Sequence, residues 1–394
     1  MLRRFFFTYN RFAVLLSYEN IAHYLLEKGL VNIESIIKGE FSVRDLSSRN
    51  VNFAINQENP PGYLVKQVRS RDREKFETLR IEATCYWLAN NDDAYQMLKA
   101  FLPGYYEYDY LHHILVLELM HDVKNLNQYY SGARVFPTSV AEKLAELLAS
   151  YHTHTEGVVE KQKSFSLFKK QKPWVFSLTE NHLSDLLDNA SLGNAEKQSV
   201  KLIAENQEFI EQLRIMRDDW ETKSLIHGDV KFANFLINNN TLPTNEPDIR
   251  LIDWELADIG DPIWDVAAVV QNYLTLWVSS EIAMEYRQGG DHLIVVSLEH
   301  VQPSIAAFWE RYSNMAHWNV GEKRQRLEKM VRYTALKLVH SCFESVHGVK
   351  DMSLYSAKML QLSLNLLLRP DEGISEVLGI QTNSLSHANN ILSG

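Results

Sequence analysis

Asp229, Asn234 and Asp253 are the residues of this chain whose types and spacing could do chemistry. Asp229 and Asn234 lie five positions apart in Leu225-Ile-His-Gly-Asp-Val-Lys-Phe-Ala-Asn234, and Asp253 follows in Leu251-Ile-Asp-Trp254. Phosphoryl transfer needs such a set: one carboxylate to meet a hydroxyl, and oxygen ligands to hold Mg²⁺ against a nucleoside triphosphate. Magnesium keeps several waters, so one or two protein oxygens plus phosphate suffice. Asp253 offers a carboxylate and Asn234 a neutral amide oxygen. Asp229 is then free to accept the hydroxyl proton and orient the attack.

These residues need rigid supports. Leu225-Ile226, Phe235-Leu236-Ile237 and Leu251-Ile252 are short apolar runs that predict buried strands on either side of the polar positions. The turn formers of Asn238-Asn-Asn-Thr-Leu-Pro-Thr-Asn-Glu-Pro247 predict a hairpin tip between the second and third.

Three segments in this order, His227-Gly-Asp229 with Asn234, Ile252-Asp253-Trp254-Glu255 and Gly260-Asp-Pro-Ile-Trp-Asp265, resemble the aminoglycoside phosphotransferase and choline kinase superfamily. The Asp229-to-Asn234 spacing also matches the protein kinase catalytic loop, with Gly228 where protein kinases carry arginine. The resemblance implies an α+β, two-lobed protein-kinase-like fold. It has a small antiparallel-sheet lobe with helices and a larger, mainly helical lobe. We expect the nucleotide-binding lobe over residues 1–120. The catalytic and substrate lobe is expected over 121–394, with a loosely held tail near 375–394. The resemblance gives His227 a supporting part in the loop and makes Asp265 a brace on its backbone amides.

In the small lobe, apolar spacing over residues 18–38 predicts a helix pair or a helix and turn. Two alternating stretches between Phe41 and Ile55 then predict strand, turn, strand. The turn has no glycine, which would let backbone amides approach phosphate closely. Ser47, Ser48 and Asn50 are its candidate phosphate contacts, and an ordinary surface turn is the other reading. Tyr63–Val68 predicts a strand in which Lys66 shares a face with Leu64 and Val68. A lysine there needs a charged partner or a ligand. Kinase-like enzymes, by resemblance, supply both, since their strand lysine contacts the phosphates and pairs with a helix glutamate. Glu82 borders the apolar stripe Phe76, Leu79, Ala83, Tyr86 and is the chosen partner, ahead of Glu74 and Glu77 on the outer face. Ile114–Met120 reads as a buried strand. By resemblance it leads into the hinge, where backbone groups near Glu118 and Met120 bind the adenine edge.

In the larger lobe, Pro137-Thr-Ser-Val-Ala-Glu142 predicts a helix start with Ser139 as cap, and the helix is expected to end at His152. Residues 161–172 read as a solvated basic loop, 196–220 as one helix, and 266–277 as another. Several core helices follow between 300 and 367. Lys231 stands two residues after Asp229, where protein kinases acting on serine and threonine place a lysine against the transferring phosphoryl group. A solvent-facing lysine is the alternative.

The formal net charge of −10 lacks the basic surface of a nucleic-acid binder and is compatible with a cationic acceptor. Hydrophobic content of 45% and charged content of 23% are those of a globular protein without a membrane span. Cys85 and Cys342 give neither a zinc spacing nor a disulfide framework and read as buried thiols. Arg11 interrupts the apolar N-terminus, so the expected location is the cytoplasm.

The expected activity is ATP- and Mg²⁺-dependent transfer of a γ-phosphate to a hydroxyl of a small molecule, an aminoglycoside, sugar or choline-like compound. Two alternatives stand. Lys172-Pro-Trp-Val-Phe-Ser-Leu178 with Lys231 is similar to kinase-like proteins of lanthipeptide maturation, which implies a Ser/Thr of a peptide as acceptor. The missing glycine-rich loop suits a nucleotide-binding pseudokinase scaffold, against which the complete Asp229, Asn234, Asp253 set speaks. Glu255, Asp258 and Glu310 are candidate acceptor-pocket residues.

Overall fold

The computed structural model describes residues 14–47, 50–57, 62–68, 73–157, 166–178, 180–189, 192–238, 247–285 and 295–381. Two short helices come first, α1 (Ile21–Glu27) and α2 (Ile33–Ile37). Then follow β1 (Phe41–Asp45), β2 (Val51–Gln57), β3 (Tyr63–Gln67), the helix α3 (Arg73–Asn91), β4 (Tyr105–Asp109) and β5 (Ile114–Glu118). The five strands form an antiparallel sheet in the order β1-β2-β3-β5-β4. Alternation explains its two faces. Val51, Phe53, Ile55, Val65, Ile114 and Val116 bury one face against Ile21, Tyr24 and Leu25 of α1. Leu115 and Leu117 point the other way into the main core with α3. Lys66 lies directly opposite Leu115, which fixes it on the α3 side.

The remaining elements make a mainly helical lobe, so the two-lobed α+β expectation describes the molecule. In chain order they are β6 (Val123–Asn125), α4 (Leu126–Tyr130), α5 (Thr138–Thr155), α6 (Glu180–Asp188), α7 (Asn194–Ala204), α8 (Gln207–Asp218), β7 (Ser224–Ile226), β8 (Phe235–Asn238), β9 (Ile249–Leu251), β10 (Asp258–Gly260), α9 (Ile263–Glu285), α10 (Leu298–Met315), α11 (Val320–Val346) and α12 (Leu354–Leu368). Helix α9 is apolar almost all round and runs through the core, with α10, α11 and α12 against it. Asn319 starts α11 with a capping box to Glu322, and Asp261 takes the Ile263 amide at the start of α9. The lobes are stitched together where the Leu251 amide donates to the Phe101 carbonyl at 2.9 Å.

Several expectations shift. Helix α5 starts one residue before Ser139, on the Pro137 carbonyl, with no side-chain cap, and it runs past His152 to Thr155. The single helix expected over 196–220 is two, because the Asn206 side chain caps a new helix on the Phe209 amide. Of the solvated loop expected over 161–172, residues 161–165 lie outside the described residues and 166–172 are mostly exposed, but the Lys170 and Gln171 amides tether the segment to the Asp258 carboxylate. The end of the described chain is anchored as well: Leu378 and Ile380 are buried, while 382–394 lies outside the described residues. Cys85 and Cys342 are buried free thiols. Among the described residues no helix is long and apolar enough to cross a membrane.

Candidate active site

The segment after β7 carries His227, Gly228 and Asp229 across the mouth between the lobes. Asp265, in the first turn of α9, holds it. The buried Asp265 carboxylate accepts from the His227 amide at 2.6 Å, the Gly228 amide at 3.0 Å and the Tyr151 hydroxyl at 2.9 Å, with His152 Nε2 at 3.3 Å. Burial alone would raise its pKa. The His152 hydrogen bond and the nearby Lys337 charge outweigh it and hold the carboxyl below the usual range. The expected brace is therefore present.

Gly228 has φ +80°, and a Cβ there would sit 2.4 Å from the Leu256 carbonyl oxygen, so both conformation and space demand glycine. His227 is fully buried and kept neutral by that burial. Its Nδ1 accepts from the Asp229 amide at 3.3 Å, which leaves Nε2 to donate to the Ile252 carbonyl at 3.0 Å. One imidazole thus ties the Asp229 loop to the Asp253 loop.

Asn234 Nδ2 donates to the Asp229 carbonyl at 3.0 Å, and the Ile252 amide donates to the Asn234 carbonyl at 2.9 Å. The Asn234 side-chain oxygen is the end of the amide turned away from that first bond. Asp253 adopts a left-handed backbone, φ 69° and ψ 54°, and its carboxylate meets Lys66 Nζ at 3.3 Å. Lys66 also donates to Glu82 at 2.7 Å, and Glu82 is 2% exposed. Burial works to lower the Lys66 pKa, but Glu82 and Asp253 outweigh it and keep the ammonium charged. Burial pushes the Glu82 carboxyl up, Lys66 pulls it back, and the Asp253 charge adds to the rise. At Asp253 the burial effect is overcome chiefly by Lys66, with Lys231 adding to it, and the carboxylate is held ionised.

Lys231 Nζ lies 2.6 Å from Asp229 Oδ2, with both side chains partly open to solvent. It is neither free nor solvent-facing alone. Asp229 also lines a cavity of about 400 Å³ between the catalytic segment, α9 and α11. A second cavity of about 170 Å³ touches Gly228 and is walled by Lys172, Trp174 and Asp258. The donor set around Asp253 suits magnesium. Among the described residues no three His, Cys, Asp or Glu side chains form a cage, and hard oxygens from Asp253 and Asn234 leave room for phosphate and water.

Other candidates fall out differently. Ser47 is spent inside its own turn, with its amide on Asp45 and its hydroxyl accepting from the Asn52 amide at 3.0 Å. Ser48 lies outside the described residues. Asn50 keeps a buried side-chain oxygen with no hydrogen-bond partner among the described residues. The Glu118 amide donates to the carbonyl of Gly104, just before β4, at 2.7 Å and the Glu118 carboxylate takes the Gly104 amide, so one of the backbone groups expected at the hinge is occupied. Met120 has no backbone partner among the described residues. Glu77 pairs with Arg80, away from Lys66. Glu310 is exposed on α10 and lines neither cavity, whereas Asp258 anchors the 166–172 segment.

Sequence reasoning missed four contributors. Asn272 on α9 accepts from the Phe232 amide at 3.0 Å and pins the far side of the loop. Lys337 on α11 donates to the Gly228 carbonyl at 3.2 Å. Tyr151 and Tyr312 complete the network around His152 and Asp265. Each comes from a distant helix whose pattern signals only core.

A family model described as "phosphotransferase enzyme family" matches residues 42–296. No curated protein sequence matches. Among solved structures, a choline/ethanolamine kinase family protein from Mesorhizobium loti aligns over 90% of this chain and 96% of its own, at 12% identity and TM-score 0.49. Choline kinase LicA from Streptococcus pneumoniae aligns over 85% and 98%, at 17% and 0.46. Macrolide 2'-phosphotransferase MphH from Brachybacterium faecium aligns over 89% and 99%, at 12% and 0.47. The family match spans more than half of the chain and takes in Lys66, Glu82, Asp229, Asn234, Asp253 and Asp265, and the protein belongs to the phosphotransferase enzyme family.

Proposed function

We propose that this enzyme transfers the γ-phosphate of ATP, with Mg²⁺, to a hydroxyl of a small molecule. The observation that carries the reading is Lys66, which joins Glu82 of one lobe to Asp253 of the other beside the Asp229 loop. Asp253 and Asn234 are the residues that would hold the metal. Bound there, magnesium supplies positive charge that neutralises the phosphate oxygens during transfer. Lys66, kept in place by Glu82, orients a phosphate oxygen. Asp229 receives the proton of the acceptor hydroxyl and aims its oxygen, which is positioning more than covalent chemistry. Lys231 fixes the Asp229 carboxylate and puts an ammonium beside the point of transfer. Met120, whose backbone groups have no partner among the described residues, would be the hinge residue that meets the adenine edge. The amide NH₂ of Asn50 and the hydroxyl of the adjacent Ser48 remain the turn's candidates at the phosphates. A reaction that consumes ATP fits the cytoplasm.

A second reading, a serine or threonine of a peptide as acceptor, is favoured by one observation. The Lys172–Leu178 segment lies beside the catalytic loop and presents the 40%-exposed Trp174 to the cavity at Gly228. Magnesium-dependent ATP consumption tests both readings against a nucleotide-binding scaffold. Replacing Asp253 with alanine should cut turnover by about 100-fold or more while the circular dichroism spectrum is kept. Undiminished turnover in that variant defeats the proposal.

A further inference from the structure

The cavity beside Asp229 carries information about the acceptor. Its charged lining is Asp229, Lys231, Lys337 and Glu344, and His340 lines it too. Asp229 and Lys231 are already paired with each other. Glu344 is exposed, at the rim. His340 is neutral, because burial and the Lys337 charge push it down to about 4. The charge deepest in the cavity is therefore Lys337, which is 6% exposed.

Lys337 is poorly provided for. Its Nζ has the Gly228 carbonyl at 3.2 Å and lies 4.1 Å from the centroid of the Trp264 ring. Among the described residues no carboxylate is within ion-pair distance. An ammonium has three N–H donors, and a buried charge is costly without full pairing. Burial pushes its pKa down to about 8, with Asp265, Asp229 and Glu344 opposing and Lys231 adding to the fall. It is still mostly charged at neutral pH. The amides nearest Lys337 on the same wall are already engaged: Gln271 bonds Thr275 and Ser341, and Asn272 bonds the catalytic loop.

We propose that Lys337 is a specificity-determining residue of the acceptor site, and that the acceptor carries an electron-rich oxygen, a carboxylate or an amide carbonyl, which Lys337 binds while a neighbouring hydroxyl meets Asp229. This rests on the phosphotransferase reading of Asp229. It also sets aside the cationic acceptor that the overall charge allowed. The cavity holds as many ammonium groups as carboxylates, and a cation here would meet Lys231 and Lys337 with Asp229 already paired and Glu344 out at the rim.

Four probes separate the cases: L-serine for a free carboxylate, N-acetyl-L-serinamide for carbonyls alone, choline for a cation and kanamycin for a polycation. ATP consumption with magnesium gives kcat and KM. Thermal stabilisation in the presence of a non-hydrolysable ATP analogue gives binding. These are compared for the wild type, Lys337→Met, which keeps the stem, and Lys337→Arg, which keeps the charge. We expect one of the two serine probes to lead the series. Its KM or Kd should rise about 10- to 100-fold in Lys337→Met, by more than the KM for ATP, with partial rescue in Lys337→Arg. A preference for choline or kanamycin, equal loss for all four probes, or no binding of either serine probe overturns the proposal. Lys337-dependent binding of a serine probe without any ATP consumption leaves this proposal standing and overturns the phosphotransferase reading instead.

Discussion

Lys66 reaches Asp253 across the boundary between the lobes, Nζ to Oδ1 at 3.3 Å, although the two are 187 residues apart in the chain. The contact works because Glu82 holds the same ammonium at 2.7 Å from the α3 side. One cation between two carboxylates leaves a negative site, which a metal and a triphosphate change. The same contact therefore registers whether the lobes are aligned.

Glu82→Gln keeps the size of the side chain but trades an ionic hydrogen bond for a neutral one. Charge-assisted bonds are roughly twice as strong as neutral ones, so Lys66 should lean toward Asp253 and lose its place at the phosphates. We expect the KM for ATP to rise about tenfold with little change in melting temperature. Steady-state kinetics at varied ATP checks it, and an unchanged KM would separate Glu82 from nucleotide binding.

Gly228→Ala tests the close approach beneath the loop. A side chain there meets the Leu256 carbonyl oxygen at 2.4 Å and must also hold φ near +80°. The left-handed conformation alone costs about 1–2 kcal/mol, and the clash must displace either the loop or the 254–256 turn. Urea unfolding should show a loss of about 2 kcal/mol or more, with ATP consumption falling further than stability does.

Lys231→Met removes the partner of Asp229. Both groups are partly solvated, so stability should hardly move. Catalysis should suffer, because the carboxylate loses its fixed rotamer and the transfer point loses a charge. A fall in kcat of about tenfold or more with a smaller change in acceptor KM is the expected signature. An intact kcat would reduce Lys231 to a surface residue.

The parts of this site that were legible in the sequence are those whose geometry is local. Five residues from Asp229 to Asn234 close one loop, and the apolar runs around Asp253 build one hairpin. Glu82 was legible because a carboxylate bordering an apolar stripe must find a partner inside. Lys337 was not. It sits with Thr334 and Leu338 on the buried face of an amphipathic helix, and its partner Gly228 is 109 residues away. Asn272 and Tyr151 have the same character: their spacing signals core, and only the packing of α5, α9 and α11 turns them toward the loop. Nothing local told that Gly104 would take the Glu118 amide either. The break at Asn206 had a signal, an asparagine at a cap position, but the apolar pattern on both sides reads as continuous.

Asp265→Asn joins stability to pH. The carboxylate accepts from two backbone amides and the Tyr151 hydroxyl with no bulk water. An amide in its place turns an NH₂ toward one of those donors and leaves at least one buried group unmet, at about 1–3 kcal/mol each. Asp265 has a folded-state pKa below its usual value. Its ionised form therefore contributes stability above about pH 4, the ordinary aspartate value, and that contribution is lost as pH falls through the lower folded value. The wild type should exceed the variant by about 3 kcal/mol at pH 7, and the gap should narrow below pH 4 as the carboxylate protonates. Urea titrations at pH 7, 5 and 3 measure it. A gap independent of pH would mean that Asp265 does not hold the loop as an ion. Because the same amides position Asp229, the variant should also lose turnover at pH 7 under conditions where it is still fully folded.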